Sequence, residues 1–301
     1  MILQPGQFST QSLHSSPAGE DICRILAAAV NSADAGEAIR KAVYRQENRL
    51  YIAGAPILLD RYRRIMVIGA GKAAVPMADA LAGILGDRIT SGLLITKIGH
   101  LAHAENLSHS RISIVEANHP IPDQSNLEAS SLLVPMLHDL SSSDLVICLL
   151  SGGGSALMML PSPGIPLDDL QRTTQVLLDC GAEIGEINTI RKHLDGFKGG
   201  GLAKRIYPAS LVSLILSDVV GDHLDQIASG PTVADPTTYQ EAWAIFNRYH
   251  ILPISRQADH DHRPFARQAF HGAEDKLLVA TATPRALAGD GGLTAGQEAG
   301  G

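Results

Sequence analysis

Stretches of unbroken apolar sequence alternate with segments of helical spacing along most of this chain, and no other feature narrows its fold so far. The run Ile65 to Ile68 leads into Gly-Ala-Gly and then an Ala-rich helical pattern from Ala73 to Leu85. Ser91 to Lys97 and Ile112 to Asn118 read as further buried strands, followed by a helix over Asn126 to Leu140 and a strand over Asp144 to Leu150. Helices at Leu167 to Cys180 and Glu186 to Leu194 come next, and then the strand Leu211 to Ser217. A strand that is apolar at every position, rather than at alternate ones, must bury both of its faces. The alternation therefore predicts an α/β fold, a doubly wound parallel sheet with helices on both faces, that is, a three-layer sandwich. Two more helices, with a break at Asn31 to Gly36, precede the first strand, and the polar, Ser-rich residues 1–20 read as a mobile arm.

Ligands of a doubly wound sheet lie beyond the carboxyl ends of its strands. Four loops are predicted to fall there: Gly69 to Lys72, Asn118 to Asp123, Ser151 to Ser155 and Asp218 to Asp222. The first, "GAGKAA", matches the dinucleotide fingerprint with Ala in its third slot. A NAD site also calls for an acidic residue at the end of the second strand, and "LLITK" ends in Lys97 instead. Next to Gly71, Lys72 at a helix N-terminus adds its charge to the helix dipole, which suits an anionic substrate group. A solvated lysine beside a packing turn gives the same pattern.

In "SGGGSAL", Ser151 to Leu157, the glycines Gly152, Gly153 and Gly154 permit close backbone approach and expose successive N–H groups that can cradle phosphate oxygens. The loop is not a Walker A motif, because Ser155 is followed by Ala156 and Leu157. Nor does it form the G-x-S-x-G elbow of a serine nucleophile. A purely structural turn is the alternative reading. Downstream, "EINTIRKHLDGFKGGGLAKRI" places Asn188, Arg191 and Lys192 on one helical face, able to pair with carboxylate or phosphate, with His193 and Lys198 close by. A solvated basic helix is the plain reading of the same spacing. In "LILSDVVGDHLDQIASGPT", Asp218 and Asp222 follow a buried strand, where carboxylates can hold Mg²⁺ or act as a base, although aspartate also caps helices. The "ASGPT" of Ala228 to Thr232 adds a third polar cluster at the same sheet edge.

The formal net charge of -7 gives no electrostatic reason to expect nucleic acid. Runs such as Leu145 to Leu150 fall far short of the roughly 20 apolar residues of a membrane span. No basic region followed by an apolar one marks a signal peptide, so a cytoplasmic protein without a membrane partner is expected. Cys23, Cys148 and Cys180 are odd in number and far apart, which argues for reduced thiols and against zinc.

In their order and spacing, "GAGKAAVPMA", "ANHPIPDQSN", "LLSGGGSALMMLP", "EINTIRKHLDGFKGGGLA" and "LSDVVGDHLDQIASGPTVADPTT" closely resemble the glycerate 2-kinase family, the class II or MOFRL-type glycerate kinases, over roughly residues 21 to 250. The resemblance implies ATP-dependent phosphorylation of D-glycerate at its 2-hydroxyl, with Mg²⁺ escorting the nucleotide. It implies the family's active-site lysine at Lys72, its phosphate loop at Ser151 to Ser155, and its basic segment at Asn188, Arg191 and Lys192. Asp218 and Asp222 fall in its SDVxGD segment. Hydroxypyruvate reductase, NAD(P)H-dependent and a label borne by related sequences, is one competing reading, and a catalytically inert nucleotide-binding remnant is the other. The resemblance also implies a smaller C-terminal α/β domain, the MOFRL domain, entered at "DKLLVATATPRALAG" and mostly missing here. Residues 251–274 then read as a linker, residues 275–301 as the truncated start of that domain with a disordered end, and His260 and His262 as polar linker residues rather than metal ligands. A homodimer is left open.

Overall fold

The computed structural model describes residues 3–101, 106–107, 110–251 and 277–282. Helices α1 (Gln11–His14), α2 (Gly19–Ser32) and α3 (Ala35–Ala42) lead into an antiparallel meander of β1 (Val43–Gln46), β2 (Arg49–Ile52) and β3 (Ala55–Leu58). The main sheet contains β4 (Arg64–Ala70), β5 (Ser91–Lys97), β6 (Ile112–Ala117), β7 (Asp144–Ser151), β8 (Ser210–Leu216) and β9 (Leu277–Ala282). All of its pairings are parallel, in the order β6-β5-β4-β7-β8-β9. Between and after these strands lie α4 (Ala74–Leu85), α5 (Gln124–Ser131), α6 (Leu133–Met136), α7 (Gly154–Leu157), α8 (Leu167–Asp179), α9 (Ile184–Leu194), α10 (Gly201–Ile206) and α11 (Tyr239–Arg248).

The expected α/β architecture is present, and the reason is visible in β7, whose eight residues are all buried. Leu145, Ile147 and Leu149 enter one core with Leu81 and Leu85 of α4 and with the meander. Val146, Cys148 and Leu150 enter the opposite core with Leu133, Phe197 and Leu202. A strand between two apolar layers gains burial on every residue, so alternation disappears from its sequence. Among the described residues no helix is long and apolar enough to cross a membrane.

Four local features differ from the sequence-based expectation. The helix expected over Asn126 to Leu140 is broken into α5 and α6, because Pro135 has no N–H to donate to the carbonyl of Ser131 and its ring crowds that position. The meander went unpredicted. Its two-residue turns need positive φ, found at Glu47 (51°), Ala53 (48°) and Gly54 (85°), and only Gly54 advertises that conformation in sequence. Residues 3–20, expected as a free arm, form short helical turns tied back to α2, where Leu3 and Asn31 exchange two hydrogen bonds of 2.8 Å. Finally, β9, expected to open a second domain, pairs in register with β8 as an edge strand of the main sheet. The expected linker from residue 252 on, with His260 and His262, and the tail at 283–301 lie outside the described residues.

At the amino ends of β4 and β7, opposite the loops of interest, Arg64 grips the buried Asp144 through Nε to Oδ1 (2.8 Å) and Nη2 to Oδ2 (2.7 Å), while Ser141 donates to Oδ2 from its backbone and hydroxyl. The Arg64 hydrogen bond, against the cost of burial, pulls the Asp144 carboxyl down to about 2. A carboxyl whose folded pKa lies below its unfolded value adds stability that is complete above the unfolded pKa and is lost as pH falls through the folded one. The contribution is about 2 kcal/mol. Urea unfolding of Asp144→Asn should therefore show lower stability than wild type at neutral pH and a flatter loss between about pH 5 and pH 2.

Candidate functional site

The strand order reverses between β4 and β7. Counted along the main sheet, the chain's first and fourth strands lie side by side, and the helices that follow them, α4 and α7, pack into opposite cores. A crevice opens at such a switch point, and ligands of doubly wound sheets bind in it. The loops after β4 and β7 meet there and are laced together: Lys72 N donates to Gly152 O (3.0 Å) and Ala73 N to Ser151 Oγ (3.0 Å). From β5, Ile95 O accepts from Gly71 N (3.1 Å) and Thr96 Oγ1 donates to Gly71 O (3.2 Å). Gly71 has φ 142°, and a Cβ on it would overlap Ser151 Oγ and lie 2.7 Å from the Ser151 carbonyl oxygen. Glycine is required at 71 because the neighbouring loop fills the space.

The glycine triplet is crowded in the same way. A Cβ on Gly152 would overlap the Asp218 carboxylate, with Cγ 2.9 Å away. On Gly153 (φ 86°) it would lie 3.0 Å from His119 Cδ2, 3.1 Å from His119 Nε2 and 3.5 Å from Lys72 Cε, and on Gly154 it would lie 2.9 Å from Ala228 Cβ. Lys72 after β4, His119 after β6, Asp218 after β8 and Ala228 beyond it thus converge on one loop. The amides of Gly153, Gly154 and Ser155 form no hydrogen bond with another described residue.

The charges here are uneven. Lys72 is exposed and forms no ion pair among the described residues. Half-buried Arg191 likewise forms neither hydrogen bond nor ion pair with a described residue, and burial lowers its pKa against the pull of Asp195. His119 records the local potential: burial, then Lys72, Lys97, His100 and Arg191, push its pKa below the ordinary histidine value and leave it neutral at pH 7. Uncommitted N–H groups in a positive field are the makings of an anion site.

Not every residue marked in the sequence faces this crevice. Lys192, on the same helix as Asn188 and Arg191, is buried, and its Nζ lies 3.1 Å from both Asp225 Oδ2 and Asp235 Oδ1. Lys198 is buried on Asp195 Oδ2 (2.7 Å) and Met158 O (3.1 Å). Asn188 accepts from Ser229 Oγ (3.1 Å), which in turn lies 2.7 Å from Ser155 Oγ. Asp222 occupies a turn, with φ 54° and its amide donated to Val219 O (3.1 Å). Sequence reasoning marked the loop of His119 and the "ASGPT" cluster of Ser229 without singling out either residue, and it passed over Asp225 and Asp235, whose partner Lys192 is distant in sequence.

A family model described as a domain of unknown function, DUF4147, matches residues 21–260. The glycerate 2-kinase of Pyrococcus horikoshii is 42% identical over 228 residues, covering 76% of this chain and 50% of that protein. A protein of Agrobacterium vitis with a provisional hydroxypyruvate reductase name is 47% identical over 196 residues, covering 65% of this chain and 44% of its own length. The crystal structure of glycerate kinase from Thermotoga maritima superposes with a TM-score of 0.68 at 32% identity, covering 86% of this chain and 57% of that one. The chain spans about half the length of these relatives.

Gly71→Ala forces a side chain into the Ser151 contact and an unfavourable φ, and should destabilise the protein by about 2 kcal/mol in denaturant unfolding. Gly185→Ala, where a Cβ meets nothing within 4 Å, is the control and should be neutral or slightly stabilising.

Proposed function

The chain belongs to the DUF4147 family, and from that premise and its glycerate kinase relatives we propose that it serves ATP-dependent phosphorylation of D-glycerate at the 2-hydroxyl, yielding 2-phospho-D-glycerate and ADP. One observation carries the reading: at the switch point of the sheet, glycine-loop amides with no partner among the described residues lie beside Lys72 and His119, and Arg191, likewise unpaired among those residues, acts electrostatically on that histidine. Phosphoryl transfer asks a protein mainly for positioning and charge neutralisation, which is what this arrangement can supply. In this reading the Gly152 to Gly154 loop, framed by Ser151 and Ser155, cradles nucleotide phosphates. Lys72 and Arg191 neutralise the glycerate carboxylate and the transferring phosphoryl oxygens. Neutral His119 offers a hydrogen bond rather than a charge. Lys192 holds α9 in place through its two aspartates and leaves ligand contact to Arg191. A cytoplasmic setting, where ATP is supplied, suits this division.

The donor set fits Mg²⁺ that arrives with the nucleotide. Among the described residues no group of three or more His, Cys, Asp and Glu side chains can cage an ion, and Mg²⁺ characteristically takes one or two carboxylates together with phosphate oxygens and water. Asp218, exposed and packed against Gly152, would hold it there, with Asp222 shaping the turn behind. When bound, the ion would neutralise charge on the phosphates. The reductase reading fares worse on two observations. Ser151 fills the open side of Gly71 that a pyrophosphate would need, and the strand beside β4 ends in Lys97 where a dinucleotide site places an acid on the ribose.

A coupled assay should find ADP release from ATP that depends on D-glycerate, and no NADH oxidation with hydroxypyruvate. Lys72→Ala and Arg191→Ala should each lower kcat/KM by roughly 100-fold. NADH turnover in place of ADP release, or near-normal rates for Lys72→Ala, would sink the reading. Histidine ring-proton titration offers an independent check: Lys72→Ala should raise the His119 pKa toward its ordinary value, and inorganic phosphate should raise it in the wild type.

A further inference from the structure

The chain has two glycine triplets, and their amides are in opposite states. Those of the second are all occupied: Gly199 N donates to Ser229 O (3.0 Å), Gly200 N to Gly230 O (2.8 Å) and Gly201 N to Lys198 O (2.9 Å). This triplet grips a piece of the chain itself. The gripped segment is unusual, because Ala228, Ser229 and Gly230 have φ of 52°, 61° and 59°. Left-handed backbone is disfavoured for residues with a Cβ, and two of these three carry one. Such conformations persist only where the surroundings over-determine them. Here the second triplet supplies that constraint, with Ala203 N donating to Pro231 O (3.1 Å) just beyond.

The turn has a consequence for the first triplet. It carries the fully buried Ser229 hydroxyl to a point where Oγ donates to Asn188 Oδ1 (3.1 Å) and sits 2.7 Å from Ser155 Oγ. A hydroxyl has one proton. Ser229 gives its proton to Asn188, so Ser155 is the donor in the bond between the serines, and the Ser155 proton is committed within the protein. Ser155 begins where the uncommitted amides of Gly153, Gly154 and Ser155 lie, and its side chain is anchored from behind.

We propose that Ser229 is a positioning residue of the anion loop: presented by the left-handed segment and linked to Asn188, its hydroxyl fixes Ser155 and thereby the spacing of the Gly153 to Ser155 amides. The inference rests on reading that loop as the phosphate site, and it identifies what sets the loop's geometry. The second glycine triplet, which the kinase reading leaves without a task, becomes the clamp that makes the arrangement affordable.

Two substitutions separate hydroxyl from backbone. Ser229→Gly removes the hydroxyl while suiting the left-handed conformation better than serine, and Ala228→Gly relaxes the same turn while keeping the hydroxyl. On the full chain, two readouts apply: the Kd for ADP with Mg²⁺ by calorimetry, and amide exchange at Ala156, Leu157 and Met158, whose N–H groups are donated to the Gly153 and Gly154 carbonyls. Ser229→Gly should weaken ADP binding and accelerate loop exchange, each by about tenfold, with a Tm no lower than that of Ser229→Ala. Ala228→Gly should leave both within about twofold. Ser155→Ala should match Ser229→Gly, and the double variant should add nothing further, as expected of two members of one relay. Loop exchange in Ser229→Gly equal to wild type, or equal loosening by Ala228→Gly, overturns the proposal. If the wild type binds no ADP while Ser229→Gly still loosens the loop, the phosphate reading fails and the positioning role stands.

Discussion

The architecture of the site depends on one close approach, that of the β4 loop to the β7 loop at Gly71 and Ser151. Parallel strands in adjacent register bring their carboxyl ends level, but level ends do not by themselves join two loops. Here the joining is done by the Lys72 amide on Gly152 O and the Ala73 amide on Ser151 Oγ, at a separation that only a residue without a Cβ tolerates at 71. Once the loops are laced, the placement of Lys72 beside Gly153 follows from covalent geometry. The crevice of the switch point becomes a single surface made from two strands that are far apart in the chain.

That contact also separates fold from function. A strand order that reverses at its centre serves dinucleotide enzymes and phosphate-handling enzymes alike, so the topology cannot choose between them. The side chains at the strand ends can. A dinucleotide fingerprint leaves its glycine open for the pyrophosphate, whereas here the corresponding space holds a serine from the next loop. The A. vitis and P. horikoshii relatives carry different activity names at similar identity, and the local occupation of Gly71 bears on that disagreement more directly than overall likeness does.

The sheet was legible in the sequence because burial on two faces erases alternation, and β7 is the plainest case. The meander was not, since Glu47 and Ala53 adopt positive φ without being residues that favour it. Among the site residues, glycine loops and strand-end positions were readable from spacing. The fate of Lys192 was not: i, i+3 and i+4 spacing shows which residues share a helical face, but not what that face meets. The aspartates that bind Lys192 lie 33 and 43 residues away, and tertiary packing alone brings them in.

Pairing, more than position, then separates the buried, partnered cations of this fold from those left uncommitted among the described residues. An ammonium removed from water without a partner carries a large desolvation cost, so Lys192 and Lys198, both buried, are held by aspartates and a carbonyl. Lys72 stays in water and needs no partner. Arg191 is the intermediate case: burial lowers its pKa, Asp195 offsets part of that through space, and no described group hydrogen-bonds its guanidinium. A half-buried guanidinium in that state, acting on a histidine whose pKa is lowered first by burial and then by positive neighbours, is an unfinished electrostatic arrangement. An anion at the glycine loop would complete it, supplying counter-charge to Arg191 and Lys72 at once and acceptors to amides that have no other partner among the described residues.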